Sequence, residues 1–300
     1  MTTDFIYGII VPILTPIDED ERIREAKLRE QVDFVIDGGV NGILAFGSNG
    51  EFYMVEEDEM YRGLQIILDQ ARGRVPVYMG IGAISTKKCI HIAEMAKCAG
   101  ANGISVLQPM FIKPTEEELF EHFCAIASAV PDMPVLLYNN PGRTGYTISA
   151  DLVERLISRM DNICGMKDSS GDMTQTLEFI RKTRSKNFKV FGGKDTLIYA
   201  ALSHGAVGAV ATTANFIPKQ VCSVYQDFLE GRLQEALETQ FRLAQIRLAM
   251  DQASFPVATK DLANLAGRSV GKPYTPNLPS QGEALEHLKQ AMQSAFYSME

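Results

Sequence analysis

Cysteine and histidine are scarce in this 300-residue sequence, with five and four residues respectively. The five cysteines are scattered and odd in number, which is typical of reduced thiols in a cytosolic protein and unlike a disulfide framework. The four histidines show no metal-ligand spacing with one another or with cysteine. We therefore expect a cytoplasmic protein without a metal site.

Long apolar runs and basic tracts are missing as well. No apolar run is long enough to span a bilayer, and the N-terminus lacks the basic segment and apolar core of a signal peptide. The net charge is −8, and the sequence contains no basic tract and no stretch that alternates aromatic and basic residues. The sequence thus predicts neither a membrane nor a nucleic-acid partner. Hydrophobic residues make up 46% of the chain, which is enough for one large core or for a core with an appended subdomain.

The sequence does have a regular alternation of short β-type runs with longer amphipathic stretches. A glycine-rich joint before a strand recurs at residues 39–43, 100–104 and 205–209, which indicates one βα unit used many times. Eight strands alternating with eight helices predict an α/β fold, a closed (β/α)8 TIM barrel. The competing architecture is an open doubly wound sheet, but its phosphate loop is incomplete, because Ser85 stands where a third glycine is expected.

The β pattern stops after about residue 230. Beyond it, residues 233–250, 257–265 and 282–296 have helical patterns, with a proline-rich connector before the last of them. We therefore predict two domains: a (β/α)8 barrel over residues 1–230 and a C-terminal helical extension over residues 231–300.

A lysine at the end of the sixth predicted strand is the first candidate for chemistry. The buried run that begins at Ile163 ends in Lys167. Taken alone, a lysine at a strand end is more often a solvated charge. If its amine is desolvated, however, its pKa falls, and the neutral amine attacks a ketone to form a Schiff base.

Other predicted strand ends place complementary groups on the same face, because the chemistry of a (β/α)8 barrel lies at the C-terminal ends of its strands. The glycine-rich turn after strand two, with Ser48 and Asn49, offers backbone N–H groups and a hydroxyl that suit a carboxylate. Tyr138 ends strand five, and Arg143 follows it. Together these groups predict an active site for a class I lyase or aldolase acting on a 2-oxo acid. Lys167 forms the imine and Tyr138 moves protons.

Three segments carry a resemblance to a known family: residues 47–51, 138–141 and 165–169. They resemble the dihydrodipicolinate synthase / N-acetylneuraminate lyase family of pyruvate-dependent lyases, and the resemblance covers nearly the whole chain. It implies a barrel with a helical C-terminal domain, a homotetramer built as a dimer of dimers, and no cofactor beyond the covalent imine. It also implies pyruvate as the 2-oxo acid, with an aldehyde as co-substrate or product.

The same resemblance implies roles for individual residues. Lys167 is the Schiff-base lysine and Tyr138 the catalytic phenol. Ser48, which we count as catalytic, and Asn49, which we count as substrate-binding, fill the family's hydroxyl pair. Two further substrate-binding positions are Gly192, at the end of strand seven, and Val210, whose carbonyl closes the pyruvate pocket.

Two more positions bear on the co-substrate. Arg143 matches the arginine that dihydrodipicolinate synthases use for the carboxylate of aspartate semialdehyde, a pattern that sialic acid lyases lack. Phe111 stands where those synthases have a relay tyrosine from the neighbouring subunit, and we count it among the substrate-binding positions. The feedback site for lysine is expected to be absent, because its positions hold other residues: Tyr53, Glu57, Met60, Ile84 and Lys88.

Alternatives stay open at this point. Four segments also resemble 4-hydroxy-2-oxoglutarate aldolase: residues 47–51, 165–172, 182–184 and 205–208. An aldolase for 2-keto-3-deoxy sugar acids is a further possibility. A non-catalytic 2-oxo acid binder on the same barrel would have no use for both Lys167 and Tyr138. A phosphate-binding barrel would use residues 192–194 after strand seven as its anion site.

Overall fold

The structure is a computed structural model in which residues 2–297 are described, the last two of them by their backbone alone. Residues 298–300 of the predicted extension therefore lie outside the described part of the chain, as does residue 1 of the predicted barrel. The prediction of two domains divided at residue 230 stays a prediction.

Eight parallel strands close into one barrel and follow one another around it in chain order. The prediction of a (β/α)8 TIM barrel with a C-terminal helical extension is therefore confirmed. The strands are β1 (Gly8–Pro12), β2 (Gly42–Ala45), β3 (Val77–Ile81), β4 (Gly103–Leu107), β5 (Val135–Asn139), β6 (Ile163–Asp168), β7 (Lys189–Gly192) and β8 (Gly208–Val210).

Helices follow every strand, and three more form the extension. Around the barrel they are α1 (Glu25–Asp37), α2 (Glu57–Ala71), α3 (Thr86–Ala99), α4 (Glu116–Ala129), α5 (Pro141–Thr144), α6 (Ala150–Arg159), α7 (Met173–Thr183), α8 (Ile198–Ser203) and α9 (Pro218–Leu229). The extension consists of α10 (Leu233–Met250), α11 (Val257–Leu265) and α12 (Gly282–Met292), which continues as a π-helical turn over Gln293–Tyr297. Among the described residues, no helix combines the length and the apolar character needed to cross a membrane.

The recurrent glycine joint has a conformational cause. Gly39, Gly100 and Gly205 have φ angles of 92°, 90° and 97°, which are strained for any residue with a side chain. Each of them turns the chain from the end of a helix toward the next strand. The same residue type recurs because the same backbone turn recurs.

Apolar side chains cover both faces of the barrel sheet. The larger layer fills the space between the barrel and its helices. A smaller one fills the barrel interior, as side chains do in barrels of this kind. The interior residues are Ile6, Ile10, Leu44, Tyr78, Leu136, Cys164, Phe191 and Val210.

A bulge between β5 and β6 sets the register of the site. Val135 pairs with Ile163, but Leu136 pairs with Gly165, so Cys164 is the extra residue. One extra residue reverses the inward–outward alternation beyond it. As a result, Tyr138 pairs with Lys167, where an unbroken register would oppose it to Met166.

The extension packs back onto the barrel. Helix α10 lies against α8 and α9, and its Gln240 Nε2 donates a hydrogen bond to the backbone oxygen of Asp195 at 2.9 Å. Thr259 of α11 donates through Oγ1 to Asn49 Oδ1 at 3.0 Å. The extension therefore contacts the loops after β2 and β7, at the end of the barrel where the candidate site lies.

Candidate active site

A cleft of about 330 Å³ opens at the C-terminal ends of the strands. Five residues that the sequence singles out line it together: Ser48, Asn49, Tyr138, Arg143 and Lys167. An amine, a phenol, a hydroxyl and a guanidinium thus share one concave surface. The barrel topology produces this convergence, because each of these residues lies at or just after the end of a strand.

Lys167 reaches the cleft from inside the barrel. Its side chain is 7% exposed, and it borders the interior layer beside Tyr78, Phe191 and Val210. Its Nζ lies 4.2 Å from the centroid of the Tyr138 ring. The amine is therefore largely removed from water, unlike that of an ordinary strand-end lysine.

The phenol of Tyr138 is surrounded by groups that favour its ionised form. Burial alone raises the pKa of a phenol, but the charge of Lys167 and hydrogen bonds from Ser48, Ser169 and Asn140 outweigh it, so the pKa of Tyr138 is lowered. The Nδ2 of Asn140 donates to Tyr138 Oη at 2.8 Å. A phenolate beside a lysine is a suitable acceptor for the lysine's proton.

The turn after β2 is anchored by the amide of Asn49. Its Nδ2 donates to Thr212 Oγ1 at 3.0 Å, and its Oδ1 accepts from Thr259 Oγ1 at 3.0 Å. This buried side chain is thus committed to holding the turn. The Ser48 hydroxyl is used by the Tyr138 phenol, so the first backbone N–H groups of the single 3-10 turn Ser48–Gly50 are left for a ligand.

Glu51, at the end of this turn, forms an ion pair with Lys260 of α11. The Nζ–Oε2 distance is 2.6 Å, and neither side chain is exposed to solvent. Lys260 also donates to the backbone oxygen of Lys272 at 2.8 Å, and Glu51 Oε1 accepts from the N–H of Tyr274 at 3.0 Å. Burial lowers the pKa of Lys260, although the charge of Glu51 opposes this. The extension thereby fixes the position of the turn.

Arg143 lies on the rim of the cleft, on the short helix α5, which the sequence pattern does not predict. Its guanidinium carbon lies 4.6 Å from the centroid of the Phe255 ring, within cation–π range. Phe255 belongs to the connection between α10 and α11. The ring holds Arg143 at the cleft without using its N–H donors.

Three predicted substrate-binding positions lie elsewhere. Gly192 is buried in β7, and its neighbour Gly193 lines the cleft instead, because the chain enters the cleft one residue beyond the strand. Val210 belongs to the interior layer and borders Lys167 there. Phe111 is 95% exposed on the connection between β4 and α4, with a φ of 69°, and does not line the cleft of its own chain.

Two buried carboxylates brace the loops of the site. Asp168, next to Lys167, accepts hydrogen bonds from Asn139 Nδ2 at 2.9 Å and from Thr176 Oγ1 at 2.6 Å. Asp195 accepts from the N–H of Thr213 at 2.7 Å and from its hydroxyl at 2.6 Å. Both carboxylates are thus engaged within the protein. Residues 2–297 contain no group of three or more His, Cys, Asp or Glu side chains that could hold a metal ion.

Sequence reasoning missed several residues of the site. Asn140 and Ser169 lie inside two of the segments that carry the resemblance, residues 138–141 and 165–169. Their closeness in sequence to Tyr138 and Lys167 marks them as candidates for the site. No such signal marks the residues that the extension contributes to the cleft: Arg247, Asp251 and Phe255.

A second cavity, of about 520 Å³, lies beside the loops after β2 and β3. It is lined by all five residues that stand where the resemblance would put a lysine site: Tyr53, Glu57, Met60, Ile84 and Lys88. The two charged ones pair with each other, with Lys88 Nζ at 2.8 Å from Glu57 Oε1. The cavity is therefore present, and its polar lining consists of the Tyr53 phenol, this ion pair, Glu56 and Ser85.

The sequence matches the model of the dihydrodipicolinate synthetase family over residues 6–295. The 4-hydroxy-tetrahydrodipicolinate synthase of Thermus thermophilus is 36% identical over 283 residues, which cover 94% of either chain. The enzyme of the same name from Geotalea uraniireducens is also 36% identical, over 91% of this chain and 92% of its own.

Solved structures agree with the sequence matches. A dihydrodipicolinate synthase of Bacillus anthracis has a TM-score of 0.93 at 31% identity, and the match covers 98% of this chain and 99% of that chain. The synthase of Cyanidioschyzon merolae, solved with lysine bound, has a TM-score of 0.93 at 28% identity, over 97% and 98% of the two chains. These likenesses span both the barrel and the extension.

Proposed function

The chain belongs to the dihydrodipicolinate synthetase family, and on that premise we propose that it condenses pyruvate with an aldehyde through an imine on Lys167. It is a Schiff-base-forming lyase of the dihydrodipicolinate synthase type. The observation that carries the proposal is the buried Lys167 amine, 4.2 Å from the ring of a tyrosine whose pKa is lowered. A mere binder of 2-oxo acids needs neither a nucleophile nor a proton acceptor, whereas imine chemistry needs both.

The reaction follows from these two groups. The Tyr138 phenolate takes a proton from the Lys167 ammonium, and the neutral amine adds to the carbonyl carbon of pyruvate. Tyr138 returns the proton to the carbinolamine hydroxyl, which leaves as water and gives the imine. The Tyr138 phenolate then takes a methyl proton, which forms the enamine, and the enamine carbon attacks the aldehyde carbonyl carbon. Tyr138 protonates the resulting alkoxide, and water hydrolyses the imine to free Lys167.

The other predicted residues take supporting roles in this proposal. Ser48 donates to the Tyr138 oxygen, and the turn that Asn49 anchors binds the carboxylate of pyruvate. Arg143 binds a carboxylate on the aldehyde. Gly193 stands at the cleft in the role expected for Gly192. No cofactor is required, because the imine nitrogen itself draws electrons from the carbon that reacts.

We further propose that copies of the chain associate, as a homotetramer, in the cytoplasm. Large apolar side chains are exposed on neighbouring loops after β2, β3 and β4: Tyr53, Ile84, Phe111 and Ile112. Large apolar side chains exposed together on neighbouring loops are typical of an interface. The free thiols of all five cysteines support the location.

Borohydride trapping in the presence of pyruvate tests the imine. Reduction should add one pyruvate-derived group to the intact mass, and peptide mapping should place it on Lys167. Lys167→Ala should lose both the adduct and turnover while keeping the circular dichroism spectrum of the wild type. The matched control is Lys194→Ala, which removes the other lysine of the cleft and should keep the adduct. An adduct on a residue other than Lys167, or turnover by Lys167→Ala, would falsify the proposal.

The second substrate is then found by assay. Aspartate semialdehyde, 4-hydroxy-2-oxoglutarate and 2-keto-3-deoxygluconate are compared side by side with the same protein. We expect condensation of pyruvate with aspartate semialdehyde to have the highest kcat/KM, since the sequence relatives bear the synthase name. A preference for cleaving either of the longer acids would assign the chain to an aldolase activity on the same imine.

A further inference from the structure

Three cationic side chains line the cleft besides Lys167, and the proposed reaction uses only Arg143 of these. The others are Lys194, which follows β7, and Arg247 of α10. Pyruvate carries a single carboxylate, which the turn at Ser48 accounts for. The cleft therefore holds more positive charge than pyruvate needs, in a chain whose net charge is −8.

The hydrogen-bond donors of these cations are mostly unused. In the described part of the chain, the side chains of Arg143 and Lys194 have no hydrogen bond or ion pair. Arg247 uses one N–H group, which donates from Nη1 to Asp251 Oδ1 at 2.5 Å. A guanidinium has five N–H donors, so Arg247 retains four of them for a ligand. Its side chain is only 15% exposed, so a ligand bound there would be partly shielded from water.

Arg247 stands in a wall between two spaces. A smaller cavity of about 200 Å³ adjoins the cleft, and five residues line both: Arg143, Thr212, Arg247, Asp251 and Phe255. On its far side the smaller cavity is lined by Met250, Ala253, Ala258 and Thr259. The guanidinium thus places a positive charge where the cleft meets the smaller cavity.

We propose that Arg247 is a specificity-determining residue that binds an anionic group at the end of the aldehyde remote from its carbonyl. The inference rests on the proposed function, since it concerns the second substrate of that reaction. Arg143 and Arg247 line the same wall, so one carboxylate or phosphate accepts hydrogen bonds from both. The substrate class is therefore an aldehyde that carries a terminal anion.

The ion pair between Asp251 and Arg247 is consistent with this proposal, because a substrate anion can replace Asp251 as the partner of Arg247. The Asp251 side chain is 60% exposed, and an ion pair with so exposed a partner is weak. In the absence of substrate it holds the Arg247 guanidinium at the wall. A substrate anion offers Arg247 a better partner, because it enters a site where Arg143 also donates.

Matched aldehydes test the proposal. Succinic semialdehyde is compared with its methyl ester, and glyceraldehyde 3-phosphate with glyceraldehyde, each with saturating pyruvate. We measure KM, or the inhibition constant where an aldehyde does not turn over. The wild type should favour the charged member of at least one pair, and which pair it is separates a carboxylate from a phosphate. In Arg247→Met that preference should fall by roughly tenfold or more, as expected for lost hydrogen bonds to a charged group.

The control is Arg242→Met, which removes the same charge from an exposed position on the same helix. It should keep the wild-type preference, so that an effect of overall charge is separated from an effect of the cleft. Arg247→Met should still form the borohydride adduct on Lys167, which shows that the imine chemistry is intact. No preference for the charged aldehydes in the wild type, or an unchanged preference in Arg247→Met, would overturn the proposal.

Discussion

At the scale of single residues, the proposed roles of Lys167 and Tyr138 answer an electrostatic requirement of the reaction. An amine must lose its proton to attack a carbonyl, yet pyruvate is an anion and is attracted by positive charge. A phenol with a lowered pKa provides an acceptor for that proton within the site. The proton then stays close to the carbinolamine, where the next step needs it.

Replacing Tyr138 with phenylalanine tests whether Tyr138 transfers protons while Lys167 forms the imine. We expect kcat to fall by roughly 10²- to 10⁴-fold, which is the usual contribution of general acid–base catalysis. The Lys167 amine remains in place, so overnight borohydride trapping with pyruvate should still label it. Intact mass and steady-state rates measure the two effects. Loss of the label together with turnover would mean that Tyr138 is required for the imine itself.

The hydrogen bond from Asn140 predicts a shift in the pH profile. Asn140→Ala removes a donor 2.8 Å from the Tyr138 oxygen, so the phenolate loses stabilisation and the pKa of Tyr138 rises. If the phenolate is the active form, activity is lost as the pH falls through this pKa, and the acid limb of kcat/KM should move to higher pH by roughly one unit. Asn187→Ala, a matched change whose amide contacts Thr3, should leave the profile where it is. A shift to lower pH would contradict the assignment.

The sequence predicted the residues that project from strand ends and missed those that arrive from far along the chain. The barrel rule brings Lys167, Tyr138 and Ser48 together because each follows a recognisable strand. Thr259 contacts Asn49 across 210 positions, and no local pattern in the sequence records such a contact. Arg247 lies in the long helical pattern of residues 233–250, and nothing in that pattern marks it as part of a site.

At the scale of elements, the strands were predictable and their register was not. Apolar runs locate β4, β5 and β6, and a glycine joint also marks the start of β4. The bulge at Cys164 depends on packing: a Cβ on the next residue, Gly165, would lie 2.7 Å from Leu136 Cδ2. This bulge decides that Lys167 faces Tyr138, so the central pair of the site rests on a feature that periodicity does not reveal.

The buried pair of Lys260 and Glu51 makes the extension part of the site. Lys260→Met leaves the Glu51 carboxylate buried without its partner, and we expect a loss of about 3–5 kcal/mol in the free energy of unfolding. Urea unfolding followed by circular dichroism measures it, since the chain has no tryptophan for fluorescence. The KM for pyruvate should rise as well, because Glu51 ends the turn that is proposed to bind its carboxylate.

The double variant Glu51→Gln with Lys260→Met is the matched control. It removes the uncompensated charge, so it should recover part of the stability lost in the single variant. A single variant within about 1 kcal/mol of the wild type would show that the pair does not brace the turn.

At the scale of the whole molecule, the fold class followed from the alternation of strands and helices, but the outer surface did not. The exposed side chains of Tyr53, Ile84, Phe111 and Ile112 belong to loops that are far apart in sequence, and the parallel pairing of β2, β3 and β4 makes these loops neighbours. Phe111 is unusual in two respects, since its side chain is 95% exposed and its φ of 69° is unfavourable for an aromatic residue. An isolated chain gains nothing from either feature, whereas a second copy that covers the ring would stabilise both.

Phe111→Asp should therefore break the association that we propose. A charge at the centre of an apolar interface is removed from water without gaining a partner, so the variant should not assemble. In sedimentation velocity the wild type should have a mass of about four times the chain mass of 33.1 kDa, and the variant should sediment more slowly. Leu278→Asp is the matched control, because Leu278 is equally apolar and 71% exposed but lies in the connection before α12. Phe111→Tyr should keep the assembly while adding a hydroxyl. A wild type that sediments as a single chain, or a Phe111→Asp variant that sediments like the wild type, would show that this patch does not join copies of the protein.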